Sequence, residues 1–80
     1  MNARNKVFEI LRDLSGTEKI SENDRLSEDI GLDSLGMVSM LLCIEEKFNI
    51  LLDESDMNPM ELKTVSDVIS MTEKYIDNIV

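Results

Sequence analysis

Residues 28–48 read Glu-Asp-Ile-Gly-Leu-Asp-Ser-Leu-Gly-Met-Val-Ser-Met-Leu-Leu-Cys-Ile-Glu-Glu-Lys-Phe, and a change of pattern inside this stretch decides the fold. Before Asp33 the residues are loop-like. From Ser34 to Phe48 the apolar residues recur with helical spacing. Met37, Met40, Leu41, Ile44 and Phe48 fall at i, i+3, i+4, i+7 and i+11, the core-facing stripe of a helix. Asp33 precedes that run as a plausible N-cap, because its carboxylate can accept the free amides of the first turn. The boundary therefore displays Ser34 where a loop becomes a helix.

Working outward, Val7, Phe8, Ile10, Leu11 and Leu14 give a helix from Asn2 to Leu14. Ser15-Gly16 closes it, since glycine accepts the left-handed conformation of a helix end. Ser15 to Asp33 is a long polar connection in which Ile20, Leu26, Ile30 and Leu32 recur, so it is expected to be pinned to the core. Loops of this length in small domains tend to be functional. Asn49 to Met57 reads as irregular. Asn58-Pro59 predicts a cap and a short helix over Pro59 to Leu62. Thr64-Val65-Ser66-Asp67 resembles a capping box, with Asp in place of the usual Glu or Gln. It opens a last helix carrying Val65, Val68, Ile69, Tyr75, Ile76 and Ile79. No strand pattern is present. The expectation is all-α, a small bundle of three main helices plus one short helix with a long first loop.

Eighty residues make one domain, 1–80, with a modest core and little room for an enclosed active site. The single cysteine, Cys43, cannot form an internal disulfide, which points to a reducing, cytoplasmic setting. Seventeen acidic residues against 8 basic give a formal charge of -9. That balance disfavours nucleic acid and anionic lipid and suits partners that present Lys and Arg. No apolar run approaches the roughly 20 residues that span a bilayer, and no signal peptide is evident.

The second helix carries one apolar stripe too many. Gly36, Ser39, Cys43 and Lys47 lie opposite the core stripe and should meet water. Between the two faces run Leu35, Val38 and Leu42, ending in Glu45 and Glu46. Either the first loop covers this second stripe, or it is a docking strip with an apolar centre and an acidic end. Cys43 has no basic sequence neighbour to activate it, and the six methionines read as adaptable core filler.

Ser34 admits three roles. A nucleophile needs a base. The chain has no histidine, Lys47 lies more than three turns along the helix, and the other lysines are remote in sequence. A plain helix-start serine would do no more than help cap. An attachment point makes chemical sense, because a phosphate ester at a helix N-terminus meets free amides and a favourable dipole. Asp33 opposes that charge and so serves the cap or a transferring enzyme. Gly31 and Gly36 leave space for such an enzyme to approach. No metal site is expected: Asp53-Glu54-Ser55-Asp56 lacks the alternating ligands and central glycine of a calcium-binding loop.

Taken together, Glu28-Asp29-Ile30-Gly31-Leu32-Asp33-Ser34-Leu35, the later Val38, Leu41, Ile44-Glu45-Glu46-Lys47-Phe48 and Leu62-Lys63-Thr64-Val65 resemble the acyl carrier protein family and its peptidyl and aminoacyl relatives. The resemblance spans nearly the whole chain in the right order. It implies that Ser34, flanked by Asp33 and Leu35, receives 4′-phosphopantetheine covalently from coenzyme A. It implies that the arm carries acyl, aminoacyl or peptidyl groups as thioesters, and that the protein is a monomeric shuttle and not an enzyme. The implied partners are a phosphopantetheinyl transferase, loading enzymes and downstream synthases with basic docking surfaces. They would meet Leu35, Val38, Leu42, Glu45 and Glu46, with no nucleic acid or membrane involved.

Three departures stand out. Gly36 and Ser39 replace acidic residues common in fatty-acid carriers. The segment Ile50-Leu51-Leu52-Asp53 lacks a proline often found there, and the loop from Glu54 to Pro59 is slightly longer. These lean toward a specialised carrier of polyketide, nonribosomal-peptide or aminoacyl type, such as a D-alanyl carrier, over fatty-acid synthesis. The rival class is a cofactor-free acidic interaction module.

Overall fold

The fold was obtained as a computed structural model, which describes the backbone of residues 3–58 and 60–79. Three helices dominate: α1 (Ala3–Ser15), α2 (Ser34–Phe48) and α3 (Val65–Ile79). Helix α1 packs against both others. Its Val7, Phe8, Ile10 and Leu11 meet the Met37, Met40, Leu41, Ile44 and Phe48 stripe of α2 and Val65, Val68, Ile69 and Met71 of α3 in one buried cluster. Thr72 is the buried polar side chain of that core, and its hydroxyl donates to the Val68 carbonyl at 2.8 Å. The bond costs the helix little and leaves no orphaned hydroxyl.

The helix ends obey their sequence signals. Gly16, at φ +75°, donates its amide to the Arg12 carbonyl at 2.8 Å and closes α1. Asn49 takes the same left-handed role after α2, at φ 54°. The capping box of α3 is reciprocal: the Asp67 amide donates to Thr64 Oγ1 at 3.2 Å, and the Thr64 amide donates to Asp67 Oδ2 at 3.0 Å. Aspartate does the work of the longer glutamate because its carboxylate also takes the Lys63 amide at 3.0 Å. The expected start of α1 at Asn2 lies outside the described residues, as does the side chain of Ile79.

The long first connection is ordered, as its apolar residues suggest. Leu26 and Leu32 are buried, and Ile20 and Ile30 pack partly buried against the same cluster. The loop is also sewn to the start of α3. The Leu26 amide donates to the Lys63 carbonyl at 2.9 Å, while the Val65 and Ser66 amides donate to Asp24 and Glu22 carbonyls at 3.0 and 2.9 Å. Those two amides belong to the first turn of α3 and have no partner within their own helix, so the loop completes the cap. An isolated antiparallel bridge, Arg25 with Thr64, marks the crossing.

The short helix falls elsewhere than the sequence predicts. Pro59 lies outside the described residues, and Met60 and Glu61 form a turn in which the Glu61 amide donates to the Asn58 carbonyl at 3.0 Å. The Asn58 side chain accepts the Met60 amide at 3.0 Å, so the asparagine organises a turn where a helical cap was expected. The short helical element is a 3-10 turn, Glu54–Asp56, inside the stretch read as irregular. It is fixed from outside: Tyr75 donates its hydroxyl to Asp56, and the Asp53 amide donates to the Tyr75 oxygen at 2.8 Å. These are contacts across more than 18 residues, which local sequence does not announce.

Candidate functional site

Ser34 is the first residue of α2 and its side chain is exposed. Asp33, in extended conformation, turns its carboxylate back so that Oδ1 accepts the Gly36 amide at 2.7 Å. The Asp33 carbonyl accepts the Met37 amide at 2.9 Å, the first regular turn of the helix. With Asp33 acting as the cap, the Ser34 hydroxyl is spared that task and makes no hydrogen bond to any described residue. The serine is therefore available at its oxygen, in the positive end of the helix dipole.

Only one of the two glycines leaves the space expected of it. Gly31, at φ +87°, has open space where a side chain would stand, and its conformation is one that few other residues adopt. Gly36 does not leave room for an enzyme. A Cβ there would stand 3.2 Å from Leu32 Cδ2 and 3.3 Å from Asp33 Oδ1. Leu32 folds over Gly36, so the first loop covers the start of that face of α2. Gly36, Ser39 and Cys43 are half-buried, where the helical wheel places them in water, with Cys43 packed against the core cluster, and Lys47 alone of that row is exposed.

The stripe that the loop was a candidate to cover is left open. Leu35, Val38 and Leu42 are 75, 50 and 58% exposed. At its end the two glutamates part company. Glu46 is exposed, whereas half-buried Glu45 accepts the Leu52 amide at 2.9 Å and holds the chain as it leaves α2.

Beside Ser34 opens a groove of about 920 Å³. Leu26, Leu32, Met37 and Leu62 supply apolar wall, with Asp33, Ser34, Arg25 and Lys63 among the polar residues around them. Sequence reading placed no lysine near Ser34, yet Lys63 lines the same groove. The Leu26–Lys63 backbone bond carries the residue there, and separation along the chain concealed it. Met60, 79% exposed, lines the groove on the same segment. Arg25 is paired with Glu28 at 2.7 Å.

Two carboxylates away from Ser34 have depressed pKa values, both for structural reasons. Amide donation from Thr64, with further help from Lys63, holds Asp67 below its ordinary value. The Tyr75 hydroxyl, then the Lys74 ammonium, do the same for Asp56. Among the described residues no cluster of three metal-ligating side chains forms, and no helix is long and apolar enough to cross a membrane.

The family model for the phosphopantetheine attachment site matches residues 5–71. The chain belongs to that family. It is 33% identical over 76 residues to an acyl carrier protein of Rickettsia bellii, covering 92% of this chain and 86% of that one. It is 35% identical over 74 residues to a D-alanyl carrier protein of Lactobacillus helveticus, covering 91 and 94%. The crystal structure of an acyl carrier protein from Thermotoga maritima superposes with a TM-score of 0.80 at 21% identity, covering 98% of this chain and 95% of that one, which establishes the shared all-α fold. An exposed serine whose hydroxyl has no partner among the described residues, beside an open groove, fits the group this family carries.

Proposed function

We propose that this chain is an acyl carrier whose residues 1–80 form one carrier domain with 4′-phosphopantetheine on Ser34. One observation carries the reading: Ser34 is exposed and its hydroxyl has no hydrogen-bond partner among the described residues, because Asp33 has taken over the cap of α2. In the attachment step, Ser34 Oγ displaces at the phosphorus of coenzyme A that bears the pantetheine. The phosphoanhydride breaks, 3′,5′-ADP departs, and the serine proton passes to a base of the transferase. No base of this chain is required, which agrees with a sequence free of histidine.

Once attached, the group supplies a flexible arm ending in a thiol, which holds the cargo as a thioester. This chain contributes the anchor, the groove beside it and the face partners recognise. Holding the cargo on a tether raises its effective concentration at each partner in turn. The cargo class is acyl or aminoacyl, since relatives of both kinds share about a third of the sequence. The partners are a phosphopantetheinyl transferase, a loading enzyme and downstream synthases of fatty-acid, polyketide or nonribosomal-peptide type, in the cytoplasm. Leu35, Val38 and Leu42, with Glu46, form the strip those enzymes meet.

The test is conversion with coenzyme A and a broad-specificity phosphopantetheinyl transferase, followed by loading from a panel of acyl and aminoacyl donors. A mass gain reversed by neutral hydroxylamine is expected for the cognate donor class. A chain that acquires no thiol with several transferases contradicts the reading and favours a cofactor-free interaction module.

A further inference from the structure

A phosphodiester on Ser34 adds negative charge to a chain whose net charge is already -9. Asp33 and Glu28 line the groove beside Ser34 and oppose that charge, while the start of α2 favours it. Two cations line the same groove, Arg25 and Lys63. The Arg25 guanidinium is paired with Glu28 at 2.7 Å. Lys63 is exposed, and its ammonium forms no ion pair among the described residues. Asp67 feels the Lys63 charge, yet its carboxylate accepts the Lys63 and Thr64 amides at 3.0 Å and makes no ion pair with the ammonium. The main chain of Lys63 is fixed on both sides. Its carbonyl accepts the Leu26 amide at 2.9 Å, and its amide is held by Asp67. The residue is thus tied to the first loop and to the cap of α3, and its freedom is confined to the four-carbon stem.

We propose that Lys63 is the counter-ion of the phosphodiester on Ser34, and that this pairing turns the arm toward the Leu62–Lys63 side of the groove and away from the exposed face of α2. The inference rests on Ser34 being the attachment residue. An ammonium is a compact charge with three donors, suited to phosphate oxygens whose positions are not fixed by a rigid frame. Arg25 would have to share or give up Glu28 to serve the same end, whereas Lys63 gives up no ion pair among the described residues. Asp33 sits next to Ser34 in sequence, so without a cation in the groove the new charge would meet a carboxylate and no compensating side chain. The pair lies at an open groove, which makes it weak and sensitive to salt. Weakness suits a carrier: an enzyme that brings its own cations to the phosphate takes the arm from Lys63, and Lys63 recovers it afterwards.

The experiment compares the unmodified chain with the chain converted by coenzyme A and a phosphopantetheinyl transferase, its arm thiol capped with iodoacetamide. Lysines are acetylated with a succinimidyl ester at fixed pH, and the rate at each is read by peptide mass. Acetylation of Lys63 is expected to slow about twofold or more on conversion at about 20 mM salt and to recover at about 500 mM, with Lys47 and Lys74 unchanged throughout. Phosphorus NMR of the converted chain gives a second readout. The phosphodiester resonance is expected to move in Lys63→Gln and to return most of the way in Lys63→Arg, which keeps a cation. Lys47→Gln removes the same charge at the far end of α2 and should leave the resonance in place. Lys63 and Lys47 are both exposed, and helical circular dichroism checks that each variant folds. A Lys63 rate that is equal before and after conversion, or a resonance that Lys47→Gln moves as far as Lys63→Gln does, overturns the pairing while leaving Ser34 as the anchor. Absence of any phosphopantetheine on the wild-type chain overturns the anchor itself, and the pairing with it.

Discussion

Asp33 Oδ1 accepts the amide of Gly36 at 2.7 Å, and that bond makes Ser34 the first residue of α2 while leaving its hydroxyl without a partner among the described residues. Cap and proposed anchor are adjacent residues with separate duties. Replacing Asp33 by Ala should lower stability by about 1 kcal/mol, the usual worth of a lost N-cap, seen as a lower urea midpoint. Asp33→Asn keeps a side-chain acceptor and should restore most of that stability. If Asp33→Asn is still a poor transferase substrate, the charge is read by the enzyme; if it recovers fully, Asp33 is a cap alone.

The apolar residues of the first loop and those of the α2 strip look alike in sequence and differ in energy. Leu26 is almost fully buried, so Leu26→Ala removes packing from the core and should cost about 2–5 kcal/mol. Leu42→Ala deletes an exposed side chain from a helix and should fall within about 0.5 kcal/mol of wild type. Chemical denaturation of both variants checks the contrast. Equal destabilisation would place Leu42 in the core.

Glu45 lies in the strip by its helical position and in the scaffold by its hydrogen bond. Truncation to Ala strips the Leu52 amide of its acceptor, at a net cost of about 1 kcal/mol. Faster hydrogen exchange at Leu52, with little change in the middle of α2, is the expected signature. Unchanged exchange would return Glu45 to the docking strip.

Legibility in the sequence depends on the range of each interaction. The helix periods, the Asp33 cap, the Gly16 stop and the Thr64–Asp67 box are local, spanning at most four residues, and each stood in the sequence. The burial of Leu26 and Leu32 was legible because apolar residues in a polar loop have little else to do. The hidden features depend on crossings. The Leu26–Lys63 bond brings Lys63 into the groove of Ser34, Leu32 fills the space beside Gly36, and Tyr75 fixes the 3-10 turn from 19 residues away. The division of labour between Glu45 and Glu46 was hidden for the same reason, since only the turn after α2 decides which one is occupied.

The Asp56–Tyr75–Lys74 group should weaken at both extremes of pH. Asp56 and Asp67 titrate below their ordinary 3.8 in the fold, so their stabilisation is present above that value and is lost as pH falls through the lower folded-state values. Tyr75 is raised above 10.0, by burial first and by Asp56 second. Lys74 is raised above 10.5 by its bond to Asp56. Stabilisation from these two holds below their ordinary values and is lost as pH rises through the raised ones. Tyr75 is the single tyrosine, so its tyrosinate absorbance reports one site. Asp56→Asn should bring the Tyr75 midpoint part of the way back toward 10.0, with burial keeping the rest; an unmoved midpoint would mean that Asp56 does not engage the phenol.

The central claim is that Ser34 is the anchor for phosphopantetheine. Its most direct measurement is the intact mass of the wild-type chain and of Ser34→Ala after incubation with coenzyme A and a phosphopantetheinyl transferase, with peptide mapping of the product. The wild-type chain is predicted to gain one phosphopantetheine on the peptide containing Ser34, and the variant, equally helical, to gain none. A modification that persists in Ser34→Ala, or a wild-type mass that never changes, would contradict it.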